Sequence, residues 1–295
     1  MNRAAAIDVT HHDVRLARLP PALAGLRVVQ VSDLHIGPWL GADGLRQIAS
    51  LTQDLAPDLL VLTGDFVAFR ALRRFEAALP ELAGLRARLG VFACLGNHDH
   101  WEGVGRVRDG LRGIGVNVLI GNGVSVAAGL WLAAVDDAMM TAPDVAATVR
   151  RAPDGEAVVV LSHNPIVLPQ AADHPCLVLA GHTHGGQLAL PRLGPERTAS
   201  LPALRLLVRA YESIGVVWRR GRLGAVSTHR YPAGWFAEGR ARMYVSRGLG
   251  LNDAFPVRLN CPAEIACFTL HPGGEETEGS QRTDRRVPSG GTGEE

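Results

Sequence analysis

The segment RVVQVSDLHIG, residues 27–37, joins a short apolar run to two side chains that commonly bind metals, Asp33 and His35. The apolar run has the length and composition of a buried strand, and the polar pair follows where such a strand ends. In open α/β sheets, ligands bind at the carboxyl ends of the strands. This segment therefore predicts an α/β fold with a ligand site at one edge of a sheet.

Four further segments repeat the arrangement of a short apolar run followed by His, Asp or Asn. They are DLLVLTGDF at 58–66, VFACLGNHD at 91–99, AVVVLSHNP at 157–165 and CLVLAGHTHGG at 176–186. Hydrogen bonds within a core can satisfy a few buried polar groups. Seven or eight such groups at five strand ends would be costly to bury without a metal or a solvent-filled cleft. We therefore expect one shared metal centre, formed by Asp33, His35, Asp65, Asn97, His163, His182 and His184.

The spacing inside two segments predicts how their side chains point. On an extended chain, residues two apart face the same side, so Asp33 with His35, and His182 with His184, should each present two ligands in one direction. The ligand set contains carboxylate, amide and imidazole groups but no thiolate. Such a set disfavours a structural zinc site and suits manganese, iron, zinc or magnesium in catalysis.

The order of these motifs resembles that of the calcineurin-like metallophosphoesterase superfamily, whose pattern is DxH, GD, GNH followed by an acid, H, and GHxH. The resemblance covers roughly residues 27–190. It implies a four-layer α/β/β/α sandwich with two mixed sheets. It also implies a hydrolase of phosphate esters that uses two divalent metal ions to activate water, with manganese as first candidate and iron, zinc or magnesium as alternatives.

The resemblance further implies a role for each motif residue. Asp33, His35 and His184 would hold the first metal, Asn97, His163 and His182 the second, and Asp65 would bridge both. His98 would bind no metal and would instead stabilise or protonate the leaving oxygen, with Asp99 orienting it. His100 and Trp101 follow this turn closely enough to line the substrate cleft, and simple packing is the alternative for both.

A narrower resemblance is carried by GHTHGGQL at 181–188, MYVSRGLG at 243–250 and PVRLNCPAEIACFTL at 256–270. These stretches are similar to the bacterial YkuE and YaeI branch of phosphodiesterases. The branch includes hydrolases of a UDP-diacylglucosamine lipid precursor, so the substrate is a phosphodiester or, as the alternative, a lipid-linked pyrophosphate. Ala68 stands where phosphoprotein phosphatases have a second Asp, which argues against a Ser/Thr protein phosphatase.

A catalytically inactive scaffold that binds a protein partner is an alternative of a different class. Such relatives usually lose metal ligands, whereas this chain keeps the complete set together with His98. A catalytic metal site requires full ligation. The sequence therefore favours an enzyme over a scaffold.

Length and composition predict one folded domain. With 295 residues, of which 47% are hydrophobic and 20% charged, the chain can bury one full core over residues 1–270. The stretch 271–295 has little to bury and is expected to be a disordered tail. All 30 basic residues are arginine, which excludes lysine Schiff-base chemistry and a phosphate-loop lysine. The net charge of +1 gives no reason to expect a nucleic-acid partner.

Location and membrane contact are predicted from the apolar runs. The chain has no leader-like start and no run of membrane-spanning length, and its four cysteines are scattered, so a cytoplasmic protein with buried thiols is expected. Residues 195–224 mix leucines with arginines and are expected to form an insertion. This insertion could be a lid that contacts anionic lipid or a lipid-linked substrate at the membrane surface, or a cap that packs on the core. Weaker candidates for phosphate contact are His229, Arg230 and Arg247.

Overall fold

The computed structural model describes residues 7–187, 230–251, 256–274 and 277–287. In chain order, the strands of these residues are β1 (Ile7–Ala17), β2 (Leu26–Val31), β3 (Leu59–Thr63), β4 (Val91–Cys94), β5 (Asn117–Val118), β6 (Asn122–Ala127), β7 (Leu130–Ala134), β8 (Ala157–Leu161), β9 (Cys176–Ala180), β10 (Gly234–Glu238), β11 (Ala241–Val245), β12 (Ala263–Gly273) and β13 (Glu278–Val287). The α-helices are α1 (Ala42–Asp54), α2 (Leu72–Leu82), α3 (Asn97–Gly113), α4 (Val145–Val149) and α5 (Leu168–Ala171).

The strands form two mixed sheets. The first sheet has the order β13-β1-β12-β2-β3-β4-β5, and the second has the order β10-β11-β9-β8-β7-β6. The neighbours β2, β3, β4 and β5 are parallel, as are β7, β8, β9 and β11. Parallel strands end at the same edge of a sheet, so the polar residues that follow them are brought to one side of the molecule.

Three hydrophobic cores separate four layers. The first core joins one face of the first sheet to the helices, through residues such as Leu45 of α1, Phe75 of α2 and Leu111 of α3. The second lies between the two sheets, and the third joins the second sheet to α4 and α5. The predicted α/β/β/α sandwich with two mixed sheets is confirmed.

This layering explains the apolar runs of the sequence. The strands β3, β8 and β9 are buried along their whole length, because each has the other sheet on one face and helices on the other. Sheets covered on both faces favour continuous rather than alternating apolar residues. All four cysteines are free and buried, as predicted.

The first sheet includes both ends of the described chain, and the prediction of a disordered tail was wrong for its described part. The first strand, β1, lies inside the first sheet, between β12 and β13. The stretch from residue 271 was expected to be disordered, but β12 continues to Gly273 and β13 pairs antiparallel with β1. Pairing of this kind satisfies the main-chain groups along the open side of β1 and needs no apolar side chains.

The insertion predicted at 195–224 and the last eight residues of the tail lie outside the described residues. Within the described ranges, none of the helices combines the length and the apolar character that crossing a bilayer requires.

Candidate metal centre

The ends of five strands meet at one edge of the two sheets. Asp33 and Asp65 follow β2 and β3, and Asn97 begins α3 after β4 in the first sheet. His163 follows β8 and the pair His182 and His184 follows β9 in the second sheet. Just below this edge the sheets are joined by Gln30, whose Nε2 donates to the carbonyl oxygen of Ala180 at 2.8 Å and to Oγ1 of Thr63 at 2.9 Å.

One group of ligand atoms comes from Asp33, His35 and His184. The Nε2 atoms of His35 and His184 are 3.0 Å apart, and Nε2 of His184 is 3.5 Å from Oδ1 of Asp33. All three side chains are buried, and their ligand atoms lie within 4.8 Å of one another. This spacing suits a single metal ion.

A second group comes from Asp65, His163 and His182. Nε2 of His163 lies 3.0 Å from Nδ1 of His182 and 3.2 Å from Oδ2 of Asp65. The same Oδ2 atom lies 3.5 Å from Nε2 of His35, which belongs to the first group. A single carboxylate oxygen therefore lies between the two groups, in the position that a bridging ligand requires.

The residues present fit two divalent cations. In each group two imidazole nitrogens face each other at 3.0 Å, an approach that needs a proton or a cation between their lone pairs. The buried Oδ1 atom of Asn97 has no hydrogen-bond partner among the described residues. A buried oxygen without a partner is costly, and a metal ion would satisfy it.

The turns that carry these residues have an unusual backbone. Asp33, His35, Asp65, His182 and His184 all have positive φ, between 44° and 72°. Residues other than glycine rarely adopt this left-handed conformation, and it concentrates at functional sites. The extended backbone expected at these residues was wrong, because the chain turns sharply at each of them. His182 and His184 consequently enter different groups instead of pointing in one direction. Asp33 and His35 nevertheless enter one ligand group, as predicted.

Two glycines allow these turns to pack closely. A side chain at Gly96 would collide with the carboxylate and main chain of Asp65. A side chain at Gly181 would collide with Ser32 and with the carboxylate of Asp33. Only glycine leaves room for neighbouring turns to approach each other here, within the first sheet at Gly96 and between the two sheets at Gly181.

Burial and neighbouring charges set the protonation of the site. Burial lowers the pKa of His35 and of His182 to about 3 and that of His184 well below its usual range. Burial also raises the pKa of Asp33 to about 6. Burial opposes ionisation of Asp65, but the histidines around it, His163 first, hold its pKa well below the ordinary value. Burial opposes protonation of His163, but the neighbouring Asp65 raises the pKa of His163 well above its usual range. The other three imidazoles are neutral, which is the form that binds metals, and His163 would release its proton to a bound ion.

Asp99 has different partners from the one predicted for it. Its Oδ2 accepts the main-chain N–H groups of Asp65 at 2.9 Å and Gly96 at 2.8 Å, and its Oδ1 accepts that of Phe66 at 2.8 Å. Burial raises the pKa of Asp99 to about 7, whereas these N–H donors favour the charged form. Asp99 thus holds the Asp65 turn, whereas the sequence suggested that it would orient His98.

His98 lies at the mouth of the site. Its ring packs edge-on against His35, with centroids 4.6 Å apart, and contacts Trp101 at 4.8 Å. Unlike Asn97 and Asp99 on either side, His98 is only half-buried. Its ring nitrogen also comes within ligand distance of His35 and Asp65, so distance by itself allows metal binding as well as proton transfer.

The loop after β7 reaches the same mouth, and the sequence did not reveal it. Nε2 of His100 lies 2.7 Å from Oδ1 of Asp136, a hydrogen bond that raises the pKa of His100. Asp136 and Asp137 directly follow an apolar strand, the same signal that marked the other five strand ends. This signal was available in VDDAMM at 135–140.

The weaker candidates for phosphate contact have other partners. Arg247 lies 3.3 Å from Oδ2 of Asp8 and 3.5 Å from Oε2 of Glu264, inside the molecule. Arg230 pairs with Glu238 at 3.0 Å. His229 lies outside the described residues.

A model of the calcineurin-like phosphoesterase family matches residues 26–186, a span that contains all seven candidate ligands. The chain belongs to this family. It is 30% identical over 271 residues to the metallophosphoesterase YkuE of Bacillus subtilis, covering 90% of this chain and 85% of YkuE. It is 28% identical over 266 residues to the phosphodiesterase YaeI of Escherichia coli, covering 87% and 86% of the two chains.

A shorter similarity is to a lipid-precursor hydrolase. Over 100 residues the chain is 40% identical to the UDP-2,3-diacylglucosamine pyrophosphatase LpxG of Chlamydia muridarum, covering 34% of this chain and 30% of LpxG. The predicted superfamily and the YkuE/YaeI branch are thus confirmed. This metallophosphoesterase is a metal-dependent hydrolase of phosphate esters.

Proposed function

We propose that this metallophosphoesterase hydrolyses phosphodiester or pyrophosphate bonds with two divalent metal ions. The observation that carries the proposal is the position of Asp65, whose Oδ2 lies 3.5 Å from His35 in one ligand group and 3.2 Å from His163 in the other. A carboxylate that faces both groups supports a shared ligand between two ions.

The proposed ligands are divided between the two ions. Asp33, His35 and His184 hold the first, Asn97, His163 and His182 hold the second, and Asp65 contacts both. Two such ions supply a water of lowered pKa and offset the negative charge of the phosphoryl oxygens. The chain contributes fixed geometry, since sharp turns and buried neighbours leave these side chains little freedom to move.

His98 is proposed to protonate or stabilise the leaving oxygen. It is half-buried beside Trp101, whereas the other members of its group, His35 and Asp65, are buried. Its main-chain N–H donates to Oδ1 of Asp65 at 2.9 Å, which supports a position beside the carboxylate proposed to bridge the two ions. A half-exposed imidazole can exchange protons with solvent, as an acid catalyst must.

The surroundings of the mouth support a substrate with an apolar or extended group on the phosphate. Exposed large side chains follow the strands that end here, namely Trp39, Phe69, Trp101, Met139 and Met140. His100 and Trp101 are the proposed substrate contacts. The phosphodiesterase activity named for YaeI favours a diester. The LpxG similarity supports, as the second candidate, a pyrophosphate that joins a nucleotide to an acylated sugar.

The metal and the location are also proposals. Manganese is the first candidate because of the resemblance to the superfamily, and iron, zinc and magnesium, which the same ligands also suit, remain alternatives. A cytoplasmic protein with peripheral membrane contact through residues 195–224 is a further proposal, and that segment lies outside the described residues.

A metal-resolved activity panel tests the function. Metal-free protein is loaded with manganese, iron, zinc or magnesium and assayed with a phosphomonoester, a phosphodiester and a UDP-linked acyl sugar. We expect kcat/KM for the diester or the pyrophosphate to exceed that for the monoester, with manganese the most effective ion. A preference for the monoester would overturn the substrate class, and metal-loaded protein inactive on all three would favour the binding scaffold.

A further inference from the structure

The loop after β11, Ser246–Gly250, lies directly behind the turn that presents Asp33. The main-chain N–H of Leu249 donates to the carbonyl oxygen of Ser32 at 3.0 Å, and that of Gly250 donates to the carbonyl oxygen of Asp33 at 2.6 Å. At Gly248, where φ is 66°, an added Cβ would lie 2.7 Å from Cβ of Asp33. The position of this loop therefore limits the position of Asp33.

The side chain of Arg258 reaches into the inner side of this loop. Its Nη2 atom lies 2.8 Å from the carbonyl oxygen of Arg247, 3.0 Å from that of Gly248 and 2.8 Å from that of Gly250. The same atom lies 3.4 Å from Nδ1 of His184. One guanidinium group thus contacts both the loop behind Asp33 and the ring of His184.

The three carbonyl oxygens face the guanidinium, so the conformation of the loop depends on this donor. Hydrogen bonds from a charged donor are stronger than those between neutral groups. If the donor were removed, the carbonyl groups would lose their bonds, and a buried acceptor without a partner is destabilising. The loop would then relax, and the turn of Asp33 packed on it would lose its support.

Arg247 secures the same loop from its other side. Its guanidinium pairs with Asp8 and Glu264, and its main-chain N–H donates to Oε2 of Glu264 at 3.0 Å. Asp8 lies on β1 and Glu264 on β12, and the hydrogen bonds just given do not involve a candidate ligand. Of the two arginines, Arg258 is the one that touches a metal-site residue.

We propose that Arg258 is a positioning residue for the first metal ion, the one assigned to Asp33, His35 and His184. By fixing the 246–250 loop it holds the turn of Asp33, and its guanidinium packs against the edge of the His184 ring, which comes from the other sheet. The second ion, at Asn97, His163 and His182, has no such contact with Arg258 among the described residues. The inference rests on the proposed two-metal centre and goes beyond it in naming a residue outside both ligand groups.

Manganese binding to the full chain tests this assignment. Binding isotherms and the electron paramagnetic resonance spectrum of coupled manganese are compared for wild type, Arg258→Gln and Arg258→Lys. Arg106→Gln is the matched control, because Arg106 is an exposed arginine that pairs with Glu76 at the surface. We expect Arg258→Gln to bind one ion normally and the other roughly 10- to 100-fold more weakly, the range seen when a partner of a metal ligand is removed. The control should bind both ions as wild type does.

Two backgrounds identify the ion that is affected. With Asn97→Ala, the remaining ion is the first, and adding Arg258→Gln should weaken it by the same factor. With His184→Ala, the remaining ion is the second, and adding Arg258→Gln should leave its affinity unchanged. Equal weakening in both backgrounds, or two ions bound at wild-type affinity in Arg258→Gln, would overturn the proposal.

Arg258→Lys covers the case in which the Gln variant does not fold. A lysine is too short and too compact to contact the loop and His184 together, so some loss of affinity at the first ion is expected. Because lysine keeps the charge, this loss should be smaller than that of Arg258→Gln. Failure of both variants to fold would show that Arg258 serves the whole fold and would overturn the specific role. If wild type binds two ions but cleaves no diester, the proposed function is contradicted and the positioning role of Arg258 is not.

Discussion

Oδ2 of Asp99 accepts the main-chain N–H of Asp65 at 2.9 Å. Asp99, which follows His98 in the chain, therefore holds the turn of Asp65, and Asp65 lies between the two ligand groups. The carboxylate of Asp99 also accepts the N–H of Gly96 and thereby caps the start of α3. The turn after β3 and the turn after β4 are locked to each other by one buried side chain. The consequence is that a change at Asp99 should be felt at both proposed ions.

Asp99→Asn should destabilise the protein and weaken both ions. Both carboxylate oxygens accept main-chain N–H groups, and an amide offers only one acceptor, so at least one buried N–H loses its partner. The expected loss in the free energy of unfolding is about 1–3 kcal/mol, measured by urea denaturation. Asp109→Asn, an exposed change on the same helix, is the control. Equal stability of Asp99→Asn and wild type would contradict the role of Asp99 in holding the two turns together.

Asp65→Ala should impair both metal positions, whereas Asn97→Ala should chiefly weaken the second. Among the described residues, Asp65 is the carboxylate that faces both ligand groups, at 3.5 Å from His35 and 3.2 Å from His163. Elemental analysis of the purified variants measures the bound ions. Two ions retained at wild-type affinity in Asp65→Ala would refute the bridging role.

His98→Ala should slow the reaction without removing metal. Loss of a general acid typically lowers kcat by about 10² to 10⁴, with KM nearly unchanged if the residue acts mainly in the transition state. A diester with a nitrophenolate leaving group needs less protonation and should suffer less than one with an alkoxide leaving group. The same penalty for both, or the loss of an ion, would indicate a ligand or a ground-state contact.

His12 predicts a pH dependence of stability that is unrelated to the metals. It lies between the sheets against Tyr244 and Phe268; its Nε2 donates to Oγ1 of Thr10 at 3.0 Å, while its Nδ1 accepts from Nε1 of Trp235 at 3.3 Å. Burial lowers its pKa from 6.5 to about 4. The unfolded chain therefore binds more protons between these values, so the contribution is complete above about pH 6.5 and is lost as the pH falls to about 4.

The measurement compares wild type with His12→Gln, which cannot titrate. The shift corresponds to about 3 kcal/mol, so between pH 7 and pH 4 wild type should lose roughly that much more unfolding free energy than the variant. Groups shared by both proteins cancel in the difference. Parallel stability curves over this range would show that His12 is not buried in its neutral form.

Much of the site could be predicted because its signals are local. An apolar run followed by Asp, His or Asn is visible at each of the five strand ends, and the structure brings six of the seven candidate ligands, all but Asn97, into two groups whose spacing could hold a metal ion. The same signal at Asp136 was missed because that segment has no counterpart in the motif pattern. The direction of His182 and His184 was missed because a left-handed backbone at non-glycine residues cannot be inferred from spacing.

The sequence by itself determined five buried strands and the polar turns that end them, since both depend on neighbouring residues, and the resemblance to the superfamily supplied the order of the layers. Only the tertiary structure decided which side chains support the ligands. Asp99 contacts residues more than 30 positions away, and Arg258 contacts His184 across 74. The pairing of β13 with β1 joins the two ends of the described chain. Contacts of this kind depend on how the layers pack, and no local pattern in the sequence records them.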